Sequence, residues 1–200
     1  MKGSVIIVDD DEAVRDSLCF LLKTVDLDAQ TFTSGDEFLQ NYDEEMHGCI
    51  LLDIRMPGTS GIEVQKKLQE LNCKLPIIFI TGHGDVPMAV EAMQSGAFDF
   101  IQKPFRDQEL LDRISQALEA HEADEEEASQ EREIRNRFTG LTPREKEVME
   151  FVVRGAANKV IAIDLGVSQR TVEIHRARVM EKMEARSLAD LVRMSMQLDM

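Results

Sequence analysis

No uninterrupted apolar run in this 200-residue chain approaches the roughly 20 residues that a membrane span needs, so membrane functions are not expected. Nor does a secretory signal open the sequence, and a cytoplasmic location is the expectation. Cysteine is scarce: Cys19, Cys49 and Cys73 are odd in number and irregular in spacing, which excludes a disulfide or metal framework and reads as buried thiols. Positive charge is also short, with 23 Lys and Arg against 38 Asp and Glu. That shortage is uneven. Residues 1–120 carry 10 basic against 22 acidic side chains, whereas residues 138–200 carry 10 against 9. A chain of this length holds two small domains at roughly 100 to 150 residues each, and halves so different in charge suggest different partners.

Glycine and proline are missing from 106–137 but punctuate the sequence before and after it. In the first half, residues 4–8, 29–32, 49–52, 77–80 and 98–101 are short, β-rich and mostly apolar, as strands buried in a parallel sheet are. Segments with helical spacing alternate with them: Val14, Leu18, Leu21 and Leu22; Ile62, Val64, Leu68 and Leu71; Val86, Val90 and Met93. Ser60 with Glu63 has the form of a capping box, and Asp85 can cap the helix that has Pro87 in its first turn. The fold expected is a five-stranded parallel α/β sheet covered on both faces by helices, a doubly wound, flavodoxin-like arrangement.

Each of four strands ends in a residue suited to phosphoryl chemistry: Asp9 and Asp10, Asp53, Thr81 and Lys103. Open α/β sheets place their sites at such converging strand ends. Crowded carboxylates raise one another's pKa unless a cation shares the site, and hard oxygen ligands open to water suit Mg²⁺. With the cation bound, Asp53 at the end of the central strand can attack phosphorus and form an acyl phosphate. Lys103 then supplies a point charge and Thr81 a hydroxyl donor to the product.

VDDDEAVR, LLDIRMPGTSG, ITGHGDVPMAVEAM and FDFIQKPF resemble the receiver domain of two-component response regulators, of the FixJ type in particular, over residues 4–120. The resemblance implies that Asp53 is the phosphoacceptor, that Asp9, Asp10 and the backbone carbonyl of Arg55 join it as Mg²⁺ ligands, and that Thr81 and Lys103 bind the phosphoryl group. It also implies a cis Lys103–Pro104 bond and an aromatic switch at Phe100. His83, between two glycines, reads as a solvated loop residue.

The segment 121–137 is acidic and rich in good helix formers, with Glu131–Arg135 and Glu133–Arg137 at i,i+4. It reads as a largely helical linker, the alternative being a solvated tether. From 138 to 200 a helical domain is expected. Thr142, Pro143 and Glu145 start a first helix that Gly155 ends, Asn158–Leu165 is a second, Gly166 makes the turn, Ser168 caps a third to about Met183, and a fourth follows Ser187. The third helix is basic, with Arg170, Arg176, Arg178 and Lys182; Val172, Val179 and Met183 share its inward face, while Arg170, Glu173, Ile174 and Ala177 point outward.

The run LTPREKEVMEFVVRGAANKVIAIDLGVSQRTVEIHRARVMEKM is similar to the LuxR-type helix-turn-helix of FixJ and NarL regulators. That similarity implies base or groove contacts from Arg170, Glu173, Ile174 and Ala177 and phosphate contacts from Lys159, Thr171, Arg176 and Arg178. Glu173 stands where relatives commonly carry lysine. The reading as a whole is a response regulator, not an enzyme: a sensor histidine kinase phosphorylates Asp53, the chain forms a homodimer and binds pseudo-palindromic promoter DNA as an activator working with RNA polymerase. The alternatives are a phosphohydrolase, disfavoured because Arg55 stands where a second catalytic acid belongs, and a DNA-binding protein whose receiver is only a dimerisation scaffold.

Overall fold

A computed structural model of the chain describes residues 3–82 and 86–198, with the main chain alone at Val86. The Asp85 cap and the reading of His83 fall outside the described residues. Five strands, β1 (Ser4–Val8), β2 (Asp28–Phe32), β3 (Cys49–Asp53), β4 (Ile77–Thr81) and β5 (Asp99–Gln102), form one parallel sheet in the order β2-β1-β3-β4-β5. Helices α1 (Glu12–Lys23), α2 (Gly35–Asn41), α3 (Gly61–Glu70), α4 (Val86–Gln94) and α5 (Asp107–Thr139) alternate with or follow the strands.

Side chains alternate across a strand, so each apolar run divides between two cores. Ile6, Val8, Ile50, Leu52 and Phe79 pack with Phe38, Ile62, Val64 and Leu68 on one face. On the other face Val5, Ile7, Leu51, Ile78 and Ile80 pack with Leu18, Leu22, Leu110 and Ile114. The expected flavodoxin-like architecture is therefore the one observed.

The packing departs from the sequence reading in several places. β2 is exposed except at Phe32, because it is the sheet's edge strand and not a buried one. In α4 the buried residues are Ala89 and Ala92, while Val90 and Met93 face outward: small side chains let the helix sit close to the sheet. Leu71 lies at the C-cap of α3 and is exposed, beyond the reach of the core. Of the cysteines only Cys49 is fully buried, being on the central strand; Cys19 and Cys73 are half-buried.

The chain divides into compact units at Met1–Asp124 and Glu125–Met200. Helix α5 runs unbroken from Asp107 to Thr139 through the acidic segment. Arg137 pairs with Glu133 at 3.4 Å and with Glu184 at 2.9 Å, but no ion pair joins Glu131 to Arg135. Both of those side chains are exposed, where a pair gains too little to hold two long chains still.

The second unit is built from the end of α5 and from α6 (Pro143–Val153), α7 (Asn158–Leu165), α8 (Gln169–Lys182) and α9 (Leu188–Gln197). Its core holds Ile134, Leu141, Val148, Val152, Ile161, Val172, Val179, Met183 and Leu191. Thr142 and Glu145 close a capping box around the start of α6. Gly166 ends α7 at φ 66°, a left-handed conformation that a side chain would strain, and this makes the tight turn into α8. Lys182 is not part of the basic outer face, because its Nζ lies 2.7 Å from the buried carboxylate of Glu145 and also donates to the Gly140 carbonyl.

Hydrogen bonding from Lys182 holds the Glu145 carboxyl at about 2, below its ordinary 4.5. A depressed carboxylate stabilises the fold above the ordinary value, and that contribution is lost as pH falls from 4.5 towards 2. Glu145→Ala is expected to cost about 2 to 4 kcal/mol, since it strands Lys182 and opens the capping box. Glu145→Gln keeps the box and costs less. Hydrogen exchange of α6 and α8 amides in the full chain at pH 7 and pH 3 checks this; equal exchange in wild type and Glu145→Ala at pH 7 would contradict it.

Candidate functional site

The strand register brings the predicted residues to one edge of the sheet. Val8 pairs with Leu52, so Asp9 is level with Asp53, and Thr81 pairs with Gln102, the residue before Lys103. Asp9 and Asp53 follow β1 and end β3, the neighbouring strands on either side of the point where strand order reverses. Gly61 at the start of α3 keeps that edge compact: a Cβ there would sit 2.3 Å from the Asp53 carbonyl.

Lys103 links the two carboxylates. Its Nζ donates to Asp9 Oδ2 at 2.7 Å and to Asp53 Oδ1 at 2.8 Å. Each aspartate is further fixed by backbone donors, Asp11 N–H to Asp9 Oδ1 at 2.9 Å and Arg55 N–H to Asp53 Oδ2 at 2.7 Å. The Arg15 guanidinium donates to the Asp9 carbonyl at 2.7 Å, a contact the sequence reading missed and no local motif signals. Thr81 is buried, and its carbonyl accepts from the Lys103 N–H at 2.7 Å. The Lys103–Pro104 peptide is cis.

Burial pushes the Asp53 carboxyl above its ordinary 3.8, against the pull of the Lys103 ammonium. Burial works to lower Lys103, but its hydrogen bonds to Asp53 and Asp9 prevail and hold it above 10.5. Two buried carboxylates already share one cationic nitrogen. Such a donor set fits a hard divalent cation, since Mg²⁺ takes one or two carboxylates and completes its shell with water. Asp10 is exposed, and Asp11 is engaged as the N-cap of α1, accepting from the Ala13 N–H. Among the described residues no three or more His, Cys, Asp and Glu side chains gather closely enough to hold a metal. Phe100 lies on β5 with 40% of its surface exposed.

In the second unit, α7, the Gly166 turn and α8 form a helix-turn-helix. Lys159, Arg170, Glu173, Ile174, Ala177 and Arg178 are exposed, so their side chains are available to a groove. Thr171 and Arg176 are half-buried: the Thr171 hydroxyl shares a 2.8 Å hydrogen bond with Ser168, and Arg176 donates to Asn158 Oδ1 at 3.3 Å. His175 is half-buried, and its Nδ1 has no hydrogen-bond partner among the described residues.

Residues 5–115 match the family described as response regulator receiver domain, and residues 139–195 match the bacterial regulatory proteins of the luxR family. Nodulation protein W of Bradyrhizobium diazoefficiens is 47% identical over 97% of this chain and 86% of its own length. Transcriptional regulatory protein FixJ of Rhizobium meliloti is 48% identical over 96% of this chain and 95% of its own. Among solved structures, the response regulator StyR is 42% identical, with a TM-score of 0.91 over 98% of this chain and all of that one.

A carboxyl whose pKa is raised by folding favours the fold below its ordinary value and works against it as pH rises past that value. Asp53→Asn keeps the shape and removes the ionisation. It is therefore expected to stabilise the first unit at pH 7, with the gain vanishing as pH falls through the carboxylate range. Urea titrations at pH 7 and pH 4 test this; a destabilised variant at pH 7 would contradict the electrostatic account.

Proposed function

The chain belongs to the two-component response regulators, with a receiver followed by a LuxR-type DNA-binding domain, and from that premise we propose that phosphorylation of Asp53 controls its hold on promoter DNA. The supporting observation is the Lys103 bridge between Asp9 and Asp53, a carboxylate on the end of β3 beside a fixed positive charge. The domains on this reading are residues 1–120, the receiver; 121–137, a helical acidic linker; and 138–200, the DNA-binding domain.

The donor is a phosphohistidine on a sensor kinase. An Asp53 carboxylate oxygen attacks phosphorus, the P–N bond breaks, and the imidazole leaves with a proton. Asp9, Asp10, Asp53 and the Arg55 carbonyl would hold Mg²⁺, which when bound neutralises charge on the incoming phosphoryl group. Lys103, held by both aspartates before the reaction, transfers one of its hydrogen bonds to a phosphoryl oxygen. The Thr81 hydroxyl donates to another, and because Thr81 ends β4, this links the phosphoryl group to the chain entering α4. Phe100 has no hydroxyl, so its part in the switch is one of packing. The phosphoryl group shifts the receiver between two states only because it binds one of them better.

Two phosphorylated chains then pair and place their α8 helices in successive major grooves of a pseudo-palindromic site, about one turn apart. Arg170, Glu173, Ile174 and Ala177 would meet base edges, with Lys159, Thr171, Arg176 and Arg178 on phosphates. The protein would work in the cytoplasm as an activator in contact with RNA polymerase. The scaffold alternative predicts that Asp53 does not matter.

Incubation with a small phosphodonor and Mg²⁺ is expected to add one phosphoryl group and shift wild type towards dimer, with neither change in Asp53→Asn. Intact mass and light scattering read both; an unmodified wild type of constant oligomeric state would favour the scaffold. Arg178→Ala is expected to weaken binding on all DNA sequences and to lower the salt slope by about 1. Glu173→Lys is expected to change base preference at one position of each half-site, since an acid accepts from cytosine and lysine donates to guanine. Titrations at several salt concentrations against a randomised site distinguish the two; an Arg178→Ala effect confined to one sequence would contradict its assignment to phosphate.

A further inference from the structure

Helix α4 follows the Thr81 strand in the chain, and its C-terminal end is tied to α3 by side-chain amides. Gln65, on the core face of α3, is 1% exposed, and its Nε2 donates to the main-chain carbonyls of Ala92 at 3.1 Å and Ser95 at 3.0 Å. Gln69, one turn on, also donates to the Ser95 carbonyl. Outside these, Lys66 Nζ pairs with Glu91 at 3.1 Å. Both groups facing the Gln65 nitrogen are carbonyls, so only its donor end can point there. Gln65 Oε1 is buried without a hydrogen-bond partner among the described residues. A buried acceptor left unpaired costs stability, so the amide is held for its donors.

The last carbonyls of a helix have no partner within the helix. At the end of α4 remote from Thr81 the Ala92 carbonyl is met by the Ser95 and Ala97 N–H groups, and α3 adds side-chain donors from inside the fold, Gln65 to Ala92 and Ser95 and Gln69 to Ser95. No comparable side-chain bond from α3 reaches Met88, Ala89 or Val90 among the described residues, and outward-facing Val90 and Met93 lie on the tied helix. We propose that Gln65 is a positioning residue that pins the C-terminal end of α4, so that a change at Thr81 turns the helix about a fixed point and re-aims its outer face.

This inference rests on phosphorylation-dependent dimerisation as read above. The experiment compares wild type, Gln65→Leu, Gln65→Glu and Gln69→Ala in the full chain, with a small phosphodonor and Mg²⁺, by intact mass, light scattering and hydrogen exchange. Gln65→Leu keeps most of the bulk and removes both donors, and Gln65→Glu keeps the shape but offers at most one O–H, from the protonated carboxyl, in place of two N–H groups. Both are expected to take up the phosphoryl group at the wild-type rate while losing about fivefold of the phosphorylation-linked gain in dimerisation, within the ~2- to 30-fold range of such coupling changes. Gln69→Ala, which leaves the buried contacts in place, is expected to lose less. In wild type, exchange at the Ser95, Gly96 and Ala97 amides should stay constant on phosphorylation while exchange nearer the start of α4 changes.

Wild-type coupling in folded Gln65→Leu, or loss of protection at Ser95 to Ala97 on phosphorylation of wild type, would each overturn the anchor. The last observation requires no variant to fold. Failure of wild type to take up phosphate or to dimerise would instead overturn the functional reading, and this inference with it.

Discussion

The Lys103 ammonium joins the ends of three strands of the sheet. It stands after β5, yet its two partners follow β1 and end β3, so the contact forms only when the strands take the order observed. Two carboxylates buried side by side would otherwise disfavour ionisation of each other, and a buried ammonium alone would lose its charge. Together they are stable as a charged group, with backbone donors from Asp11 and Arg55 fixing the remaining oxygens. The same arrangement that makes the charges tolerable holds the Asp53 carboxylate between Lys103 and the Arg55 N–H. Structure and chemistry at this edge of the sheet are set by one cluster of charges.

From that cluster the chain leads outward by short steps. Thr81 is one strand away and begins the approach to α4, whose buried residues among those described are Ala89 and Ala92, with half-buried Met88 beside the core, and whose end is tied to α3. A helix seated on small side chains and held at one end by hydrogen bonds has fewer apolar contacts resisting rotation than one seated on leucines. The second unit is built in another way. Its Lys182–Glu145 pair, with the carboxylate buried, joins α8 to α6, so the exposed face of α8 is presented from a fixed support.

Much of this was legible in the sequence because the deciding interactions are local. Ser60 with Glu63 and Thr142 with Glu145 form the capping boxes their spacing describes, and Gly166 turns where a left-handed residue is needed. The strand-end acids were legible because strand ends can be read from apolar runs. What escaped depends on partners distant in sequence. The exposure of β2 follows from its place at the sheet edge, and the choice of Ala89 and Ala92 over Val90 and Met93 follows from what α4 packs against. Lys182 looked like part of a basic face because its partner lies 37 residues earlier. Gln65 did leave a trace: it is a polar residue three positions from both Ile62 and Leu68, on a face that is otherwise apolar.

The central claim is that a phosphoryl group is carried by one carboxylate, at the place where Lys103 meets β3. Borohydride reduces an aspartyl phosphate to homoserine, so trapping after exposure to a small phosphodonor and Mg²⁺, followed by peptide mapping, locates the acyl phosphate directly. The account predicts homoserine at position 53 and nowhere else. Unreduced aspartate at 53, or homoserine at Asp9 or Asp10 in its place, would contradict it.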